Sequence, residues 1–318
     1  MSHSAQPHSA QPQRAQPVAL LVAYGWSAAQ EDRWFHFLSG WCPTDRALVV
    51  QNDPTSPDCA RFRTLRGSNA FAEFSGYLEG YDALAPEHGG SAPVFVVNDT
   101  LFSHRWSTGW KRAVRLWAHR PPLALLGDPR HDPLPGTDRT LHFLSSWIFA
   151  LHGPDAHRHF RAGLVAVQSP ENWGVPAYPE PEYGLMVRDY LDGRRGRGWS
   201  RAGRATAALR ALKEQCIYAE HRLGIIWTSK VGGLNADSRF LPDKSVFRAL
   251  FQSNKRGQTA NPHARAAAAA RDANPAEVST NPLILGSLAG YWRPLVRVSD
   301  RLLSARRRGF HWTKLPQR

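Results

Sequence analysis

Cysteine is scarce in this chain of 318 residues, with Cys42, Cys59 and Cys216 as the whole complement. Three thiols so far apart make neither a disulfide framework nor a zinc cluster, and a reducing, cytoplasmic setting fits them. No apolar run approaches the roughly 20 residues that a membrane-spanning helix needs. The N-terminus also has no apolar centre of the kind that marks a secretory leader, so neither export by that route nor a membrane-threaded chain is expected. Acidic residues are few beside basic ones: 26 Asp and Glu against 40 Lys and Arg leave a formal net charge of +14. Such an excess attracts nucleic acid, anionic lipid or phosphate-bearing substrates, and it is also what a solvated arginine-rich surface looks like. Several catalytic signatures are missing: the Walker lysine loop, G-x-G-x-x-G, H-E-x-x-H and G-x-S-x-G.

What is present is enough to fold. Hydrophobic residues at 42% and a length of 318 allow one large domain or two modest ones. Twelve tryptophans are many, and Trp suits both packing and sugar-facing surfaces. Residues 1–17, "MSHSAQPHSAQPQRAQP", repeat the unit HSAQP with almost nothing apolar and read as a disordered tail. Order begins at Val18 with "VALLVAYG", a buried strand ending in Tyr24-Gly25, followed by a helix over Ala28 to Leu38. A second run, "RALVVQND", ends in Asn52-Asp53. Phe71, Phe74, Leu78 and Tyr81 then recur at helical spacing. A third run, "PVFVVNDTLFSHRW", passes from pure apolar into Asn98-Asp99 and then His104-Arg105, and "TGWKRAVRLWAH" follows as a helix. "PPLALLGDP" and "RTLHFLSSWIFALHG" supply two more strands, the first ending in Asp128.

Further on, "GVPAYPEPEYG" is a loop and "GRRGRGWSRAGR" a basic, glycine-rich run. Thr206 to Leu223 is expected as a helix with Leu209, Leu212, Cys216 and Ala219 on one face and Gly224 closing it, before a short strand "GIIWTSK". Residues 236–318 read as a basic, mainly helical C-terminal extension. Its last part mixes Trp, Leu and Phe with many arginines, which suits either an interfacial helix on anionic lipid or a helix packed on the domain.

Apolar strands alternating with helices imply an α/β fold with a mostly parallel central sheet and helices on both faces. Ligands of such sheets bind outside the carboxyl ends of the strands, where Tyr24, Asn52-Asp53 and Asn98-Asp99 are expected to gather. The same residue types favour turns, so each strand end is open to that plainer reading.

In this order the pieces resemble a GT-A-fold glycosyltransferase of the large family 2 of inverting enzymes. The likeness covers Val18 to Lys230 and rests on Val49-Val50-Gln51-Asn52-Asp53, on Gly67, Asn69 and Gly76 in "RGSNAFAEFSGYLEG", on "VFVVNDTLF", on Ser145-Ser146, and on "KEQCIYAEHRLGIIW". Gln51 stands where the family has the aspartate that reads the nucleobase, and Asn98-Asp99 where it has its acidic metal motif. The resemblance implies a Rossmann-like nucleotide-sugar-binding domain over 18–235, with Tyr24, Asn52, Asp53, Asn69, Asn98 and Asp99 at the donor nucleotide. It further implies Mg or Mn at Asp99 and diphosphate contacts from His104 and Arg105. The base would be Glu214 or Glu220, with Glu214 preferred, and Asp128 in reserve. The activity implied is inverting transfer from a nucleotide-sugar donor to a glycan or lipid-linked acceptor in surface polysaccharide biosynthesis. The enzyme would work in the cytoplasm or peripherally at the inner membrane surface.

Two other classes stay open. One is a non-catalytic relative that binds a sugar or a partner protein. The other is a basic nucleic-acid-binding protein, although no zinc-finger, helix-turn-helix or RNP-like pattern is present and no specific nucleic acid is expected.

Overall fold

The computed structural model describes residues 15–103, 108–119, 121, 123–138, 140–192, 207–228, 240–241 and 285–288. In chain order these form β1 (Val18–Ala23), α1 (Ala28–Leu38), β2 (Ala47–Gln51), β3 (Arg63–Arg66), α2 (Glu73–Ala83), α3 (Ala85–His88), β4 (Val94–Asn98), α4 (Thr100–Ser103) and α5 (Thr108–His119). They continue with β5 (Ala124–Pro133), β6 (Thr140–His152), α6 (Pro154–Val167), α7 (Pro181–Leu191), α8 (Ala207–Thr228), β7 (Phe240–Leu241) and β8 (Leu285–Ser287).

Successive side chains of a strand point to opposite faces, so a strand apolar throughout needs cover on both. Val18, Leu20 and Val22 of β1 join Val50, Val96 and residues of α2, α6 and α8 on one face. Ala19, Leu21 and Ala23 join Val49, Phe95, Val97 and residues of α1 and α5 on the other. Helix α2 lies close against the sheet because it carries glycine where it crosses. A Cβ on Gly80 would stand 2.4 Å from Leu20 Cδ1, and one on Gly76 2.7 Å from Val22 Cγ1.

The strands lie in the order β3-β2-β1-β4-β6-β5-β8, with β7 also paired to β6. The α/β class and the helices on both faces are as expected; the mostly parallel sheet is not. Pairings among β1 to β4 are parallel, as is β5 with β8, but β6 runs antiparallel to β4, β5 and β7. The cause is local: a short turn joins β5 to β6, and a turn of that length can only make an antiparallel pair.

Two more expectations are corrected. The described part of "GIIWTSK", residues 224–228, is helix instead of strand, and Gly224 does not close the preceding helix. α8 continues to Thr228 because Ala219, Leu223 and Trp227 keep one apolar stripe facing the core. That burial outweighs the roughly 1 kcal/mol cost of a helical glycine. Leu209 and Leu212 are exposed instead of sharing the buried face of Cys216 and Ala219. Strand β3 was not anticipated, since "RTLR" has charge at both ends; it sits at the sheet edge, where charge is tolerated. In the segment expected as a helical extension, Phe240–Leu241 and Leu285–Ser287 are strands that extend the sheet. Nearly all the rest of that segment, the tail before Ala15 and the whole basic run "GRRGRGWSRAGR" lie outside the described residues. Among the described residues no helix is long and apolar enough to cross a membrane.

Candidate active site

The parallel register of β1, β2 and β4 brings their carboxyl ends level. Where pairing stops, the chain ends are tied to one another. The Asn52 N–H donates to Ala23 O at 2.9 Å, and the Asp99 N–H donates to Val22 O at 3.0 Å. The Tyr24 N–H in turn donates to Asp99 Oδ2 at 3.0 Å. Tyr24, Asn52, Asn98 and Asp99 therefore share one edge.

The β3–α2 loop closes over this edge in a strained shape. Asn69 and Ala72 have φ of 53° and 51°, a region that suits glycine. Ala72 is held there by its carbonyl, which accepts from Asn52 Nδ2 at 3.0 Å and from Ser75 Oγ at 2.9 Å. Gly67 leaves room for the Asn52 amide, because a Cβ there would stand 2.1 Å from Oδ1. Buried Asn52 Oδ1 has no hydrogen-bond partner among the described residues. The loop delivers Glu73, the first residue of α2, to the edge.

A bulge in β6 supplies the other wall. Gly127 pairs with Phe149 but Asp128 pairs with Ser145, so Ser146 to Ile148 are extra on β6. Every polar group of Ser146 is then used by a side chain. Its N–H donates to Glu220 Oε1, its hydroxyl donates to Glu73 Oε1 at 3.4 Å, and its carbonyl accepts from the Tyr77 hydroxyl at 2.7 Å. The Cys216 thiol donates to Glu73 Oε2 at 3.7 Å. Lys213, Cys216 and Glu220 follow at three- and four-residue steps, so one face of α8 meets Glu73 and Ser146.

Electrostatics at this edge are far from ordinary. Burial raises the Asp99 carboxyl, with Glu73 adding to the rise against the Tyr24 N–H. Burial also raises Glu220, although the Ser146 N–H, Lys213 and the Ser145 hydroxyl oppose it. Burial works against the charge of Lys213, yet Glu73, Tyr190 and Glu220 carry its pKa above the usual lysine value. Tyr24 and Cys216 are both pushed up, by burial first and Glu73 second. Carboxyls raised by burial beside a lysine whose charge they support form the kind of set that proton transfer requires.

Of the residues expected at a site, Tyr24, Asn52, Asn98, Asp99 and Glu220 come together. Asn98 Oδ1 accepts the Thr100 N–H at 3.1 Å and so starts α4. Asp53 turns away into its own loop, where Oδ1 accepts from the Thr55 N–H at 2.9 Å and the Thr55 hydroxyl at 2.7 Å. Those bonds hold its carboxyl below the usual range. Asn69 is exposed, and its part is conformational. Glu214, preferred over Glu220 as a base, is engaged by the Tyr218 hydroxyl at 2.5 Å on another side of α8, where Tyr218 packs with Tyr183. Six residues of helix separate the two acids by more than a right angle, and the buried face carries Glu220. Asp128 is taken up by the Trp147 indole and by Arg130, each at 2.9 Å. His104 and Arg105 lie outside the described residues. Glu73, Tyr77 and Lys213 were not anticipated. Glu73 opens a helix with an acid, which reads as an ordinary dipole complement, and only the fold reveals its neighbours.

The described residues do not compose a metal-binding set. No group of three or more His, Cys, Asp or Glu among them is placed to hold an ion, and Asp99 has an amide beside it in place of a second acid. No protein-family model matches the chain, and no curated protein matches it.

Proposed function

We propose that this chain is a nucleotide-sugar-dependent glycosyltransferase of the GT-A type, with its site on the shared edge of β1, β2 and β4. The observation that carries the reading is the convergence of Tyr24, Asn52 and Asp99 with Glu220 at the carboxyl ends of the strands. Outside that edge is where an α/β sheet receives a nucleotide.

Glu220 is the base in this scheme. The acceptor hydroxyl oxygen forms a bond to the anomeric carbon while the bond from that carbon to the diphosphate oxygen breaks. Glu220 takes the hydroxyl proton, and the bonding pair leaves with the nucleoside diphosphate. Attack opposite the leaving group inverts the centre. A carboxyl raised by burial holds a transferred proton better than an exposed one, which suits it to that step. Tyr24 and Asn52 lie on the nucleotide side and Asp99 between the two substrates. No step is routed through Mg or Mn, because the described residues do not fit either. A glycan or lipid-linked acceptor, peripheral contact through the basic residues of 236–318, and a cytoplasmic place in surface polysaccharide assembly belong to the same proposal.

A non-catalytic nucleotide- or sugar-binding role is the second reading. It is favoured by Asp53, whose carboxylate is spent inside its own turn, and by the amide at position 98.

Thermal stabilisation by UDP, GDP, CMP and dTDP, each with and without Mn²⁺, tests the first reading. A nucleotide at a hundred times its Kd adds about 2.7 kcal/mol if it binds only the folded state. A shift with one nucleotide that Asp99→Ala abolishes supports the site, and turnover of the matching nucleotide sugar separates transferase from binder. A folded protein that none of the four stabilises would sink the transferase reading and leave only the sugar-binding form of the second.

A further inference from the structure

Glu73 and Glu220 come from helices far apart in sequence, yet both bind the one residue Ser146, through its hydroxyl and its N–H. Two carboxylates on one buried serine repel each other unless a cation stands by. The face of α8 that carries Glu220 carries Lys213 seven residues earlier, two turns away, with Cys216 between them touching Glu73.

We propose that Lys213 is a positioning residue: its ammonium is the counter-ion that lets Glu73 and Glu220 stand together on Ser146 as carboxylates, so that Glu220 is oriented and free to accept a proton. The functional meaning rests on reading Glu220 as the base; the charge coupling does not. The groups facing this trio from the surrounding elements are Tyr24 on β1, Tyr77 on α2, Asp99 after β4, Ser145 and Ser146 on β6, Tyr190 on α7 and Cys216 on α8. All but the two serines are acids, so Lys213 has the trio's positive charge to itself among these neighbours. Its departure would leave the two carboxylates uncompensated, an expensive state inside a protein.

The test is a set of thermal melts of the full-length chain at about pH 8 and at about pH 5, nearer the range in which carboxyls ordinarily take up protons. Lys213→Met should lower the melting temperature at the higher pH and cost less at the lower, where fewer carboxylates are ionised. Adding Glu73→Gln or Glu220→Gln to Lys213→Met should restore stability at the higher pH, and Lys213→Arg should behave like the parent. A lysine that matters only through its aliphatic stem gives the opposite pattern: equal losses at both pH values and no rescue by glutamine. That pattern would overturn the proposal. If Lys213→Met alone fails to fold, the double variants decide, folded doubles supporting the coupling and unfolded doubles refuting it. Because no nucleotide enters the experiment, the coupling can hold while the transferase reading falls, and the reverse.

Discussion

Helix α2 spans the sheet from one edge to the other, and its two ends meet unlike polar surroundings. Its last turn carries Tyr81, whose hydroxyl meets His157 Nδ1 at 2.7 Å. His157 Nε2 faces Ala92 O at 2.7 Å, so it carries the proton and Nδ1 is the acceptor. His88 is settled in the same way, taking the Gly90 N–H on Nδ1 at 2.9 Å and donating from Nε2 to Tyr81 O at 3.1 Å. Tyr81, His88 and His157 are all hydrogen-bonded so long as both imidazoles are neutral. The first turn of α2 carries Glu73 towards Asp99, Glu220 and Lys213, under two residues with strained backbone and beside an unpartnered Asn52 oxygen. One edge is closed and electrically quiet. The other holds unspent charge and strain, which a fold tolerates where they have a use.

The sharpest way to break this contrast is to neutralise the charged edge. Glu220→Gln should reduce sugar transfer by about 10² to 10⁴, the range general-base catalysis contributes. The variant should melt no lower than the parent near neutral pH, because a buried carboxyl raised by burial gains nothing from being ionised. A loss of activity matched by a loss of fold would make Glu220 structural, like the residues of the quiet edge.

Acid should break the quiet edge. Burial, first of all, lowers His157 from 6.5 to about 4, and also lowers His88. The unfolded chain therefore takes up protons before the folded one does. The stability involved is fully present above the unfolded pKa and is lost as pH falls towards the folded one. For His157 alone the loss from about pH 7 to below about pH 4 is on the order of 3 kcal/mol. Asp82, Glu87 and Arg161 border the cluster, and His152 adds to the lowering of His157. Denaturant melts across that range should show a slope that flattens in His157→Gln; an unchanged slope would mean the imidazole is not what acid attacks.

How far the sequence foretells this contrast depends on the range of the interaction. Strands β1, β2 and β4 are legible because each is an unbroken apolar run ended by amide, acid or glycine, and those ends do meet. The reversed strand β6 is legible as a strand but not in direction, since direction follows from a short turn whose partners are not written in the run itself. α8 is misread at Gly224 because local propensity argues for a stop while Trp227, buried on Phe160 across the domain, argues against one. Among the acids, periodicity separates Glu214 from Glu220 but does not say which face is inward. Glu73 and Lys213 gain their meaning from Ser146, 73 residues from the first in sequence, and no local pattern reports such a meeting. The histidines of the quiet edge are likewise commonplace until Tyr81 and Ala92 stand beside them.

Relieving strain is a gentler test of the same comparison. Ala72→Gly should stabilise the chain by about 1 kcal/mol, the balance between 1–3 kcal/mol of strain removed and the entropy that glycine adds to the unfolded state. If the strain serves to present Glu73, this more stable variant should lose nucleotide protection or transfer. Gain on both counts would leave the strain without a role.

The smallest effect is expected at Asp53, which the sequence assigned to the nucleotide. Its carboxylate is engaged by Thr55 and Ser56 within three residues, and Ser56 Oγ passes the link on to the Trp26 N–H at 3.2 Å. Asp53→Asn keeps an acceptor oxygen for the Thr55 N–H, as asparagine does in turns of this kind. It should therefore cost about 0.5 kcal/mol or less and leave stabilisation by a bound nucleotide unchanged, whereas Asp99→Ala removes that stabilisation. Loss of nucleotide protection in Asp53→Asn with an unchanged melting temperature would return Asp53 to the site and extend the charged edge as far as the β2–β3 loop.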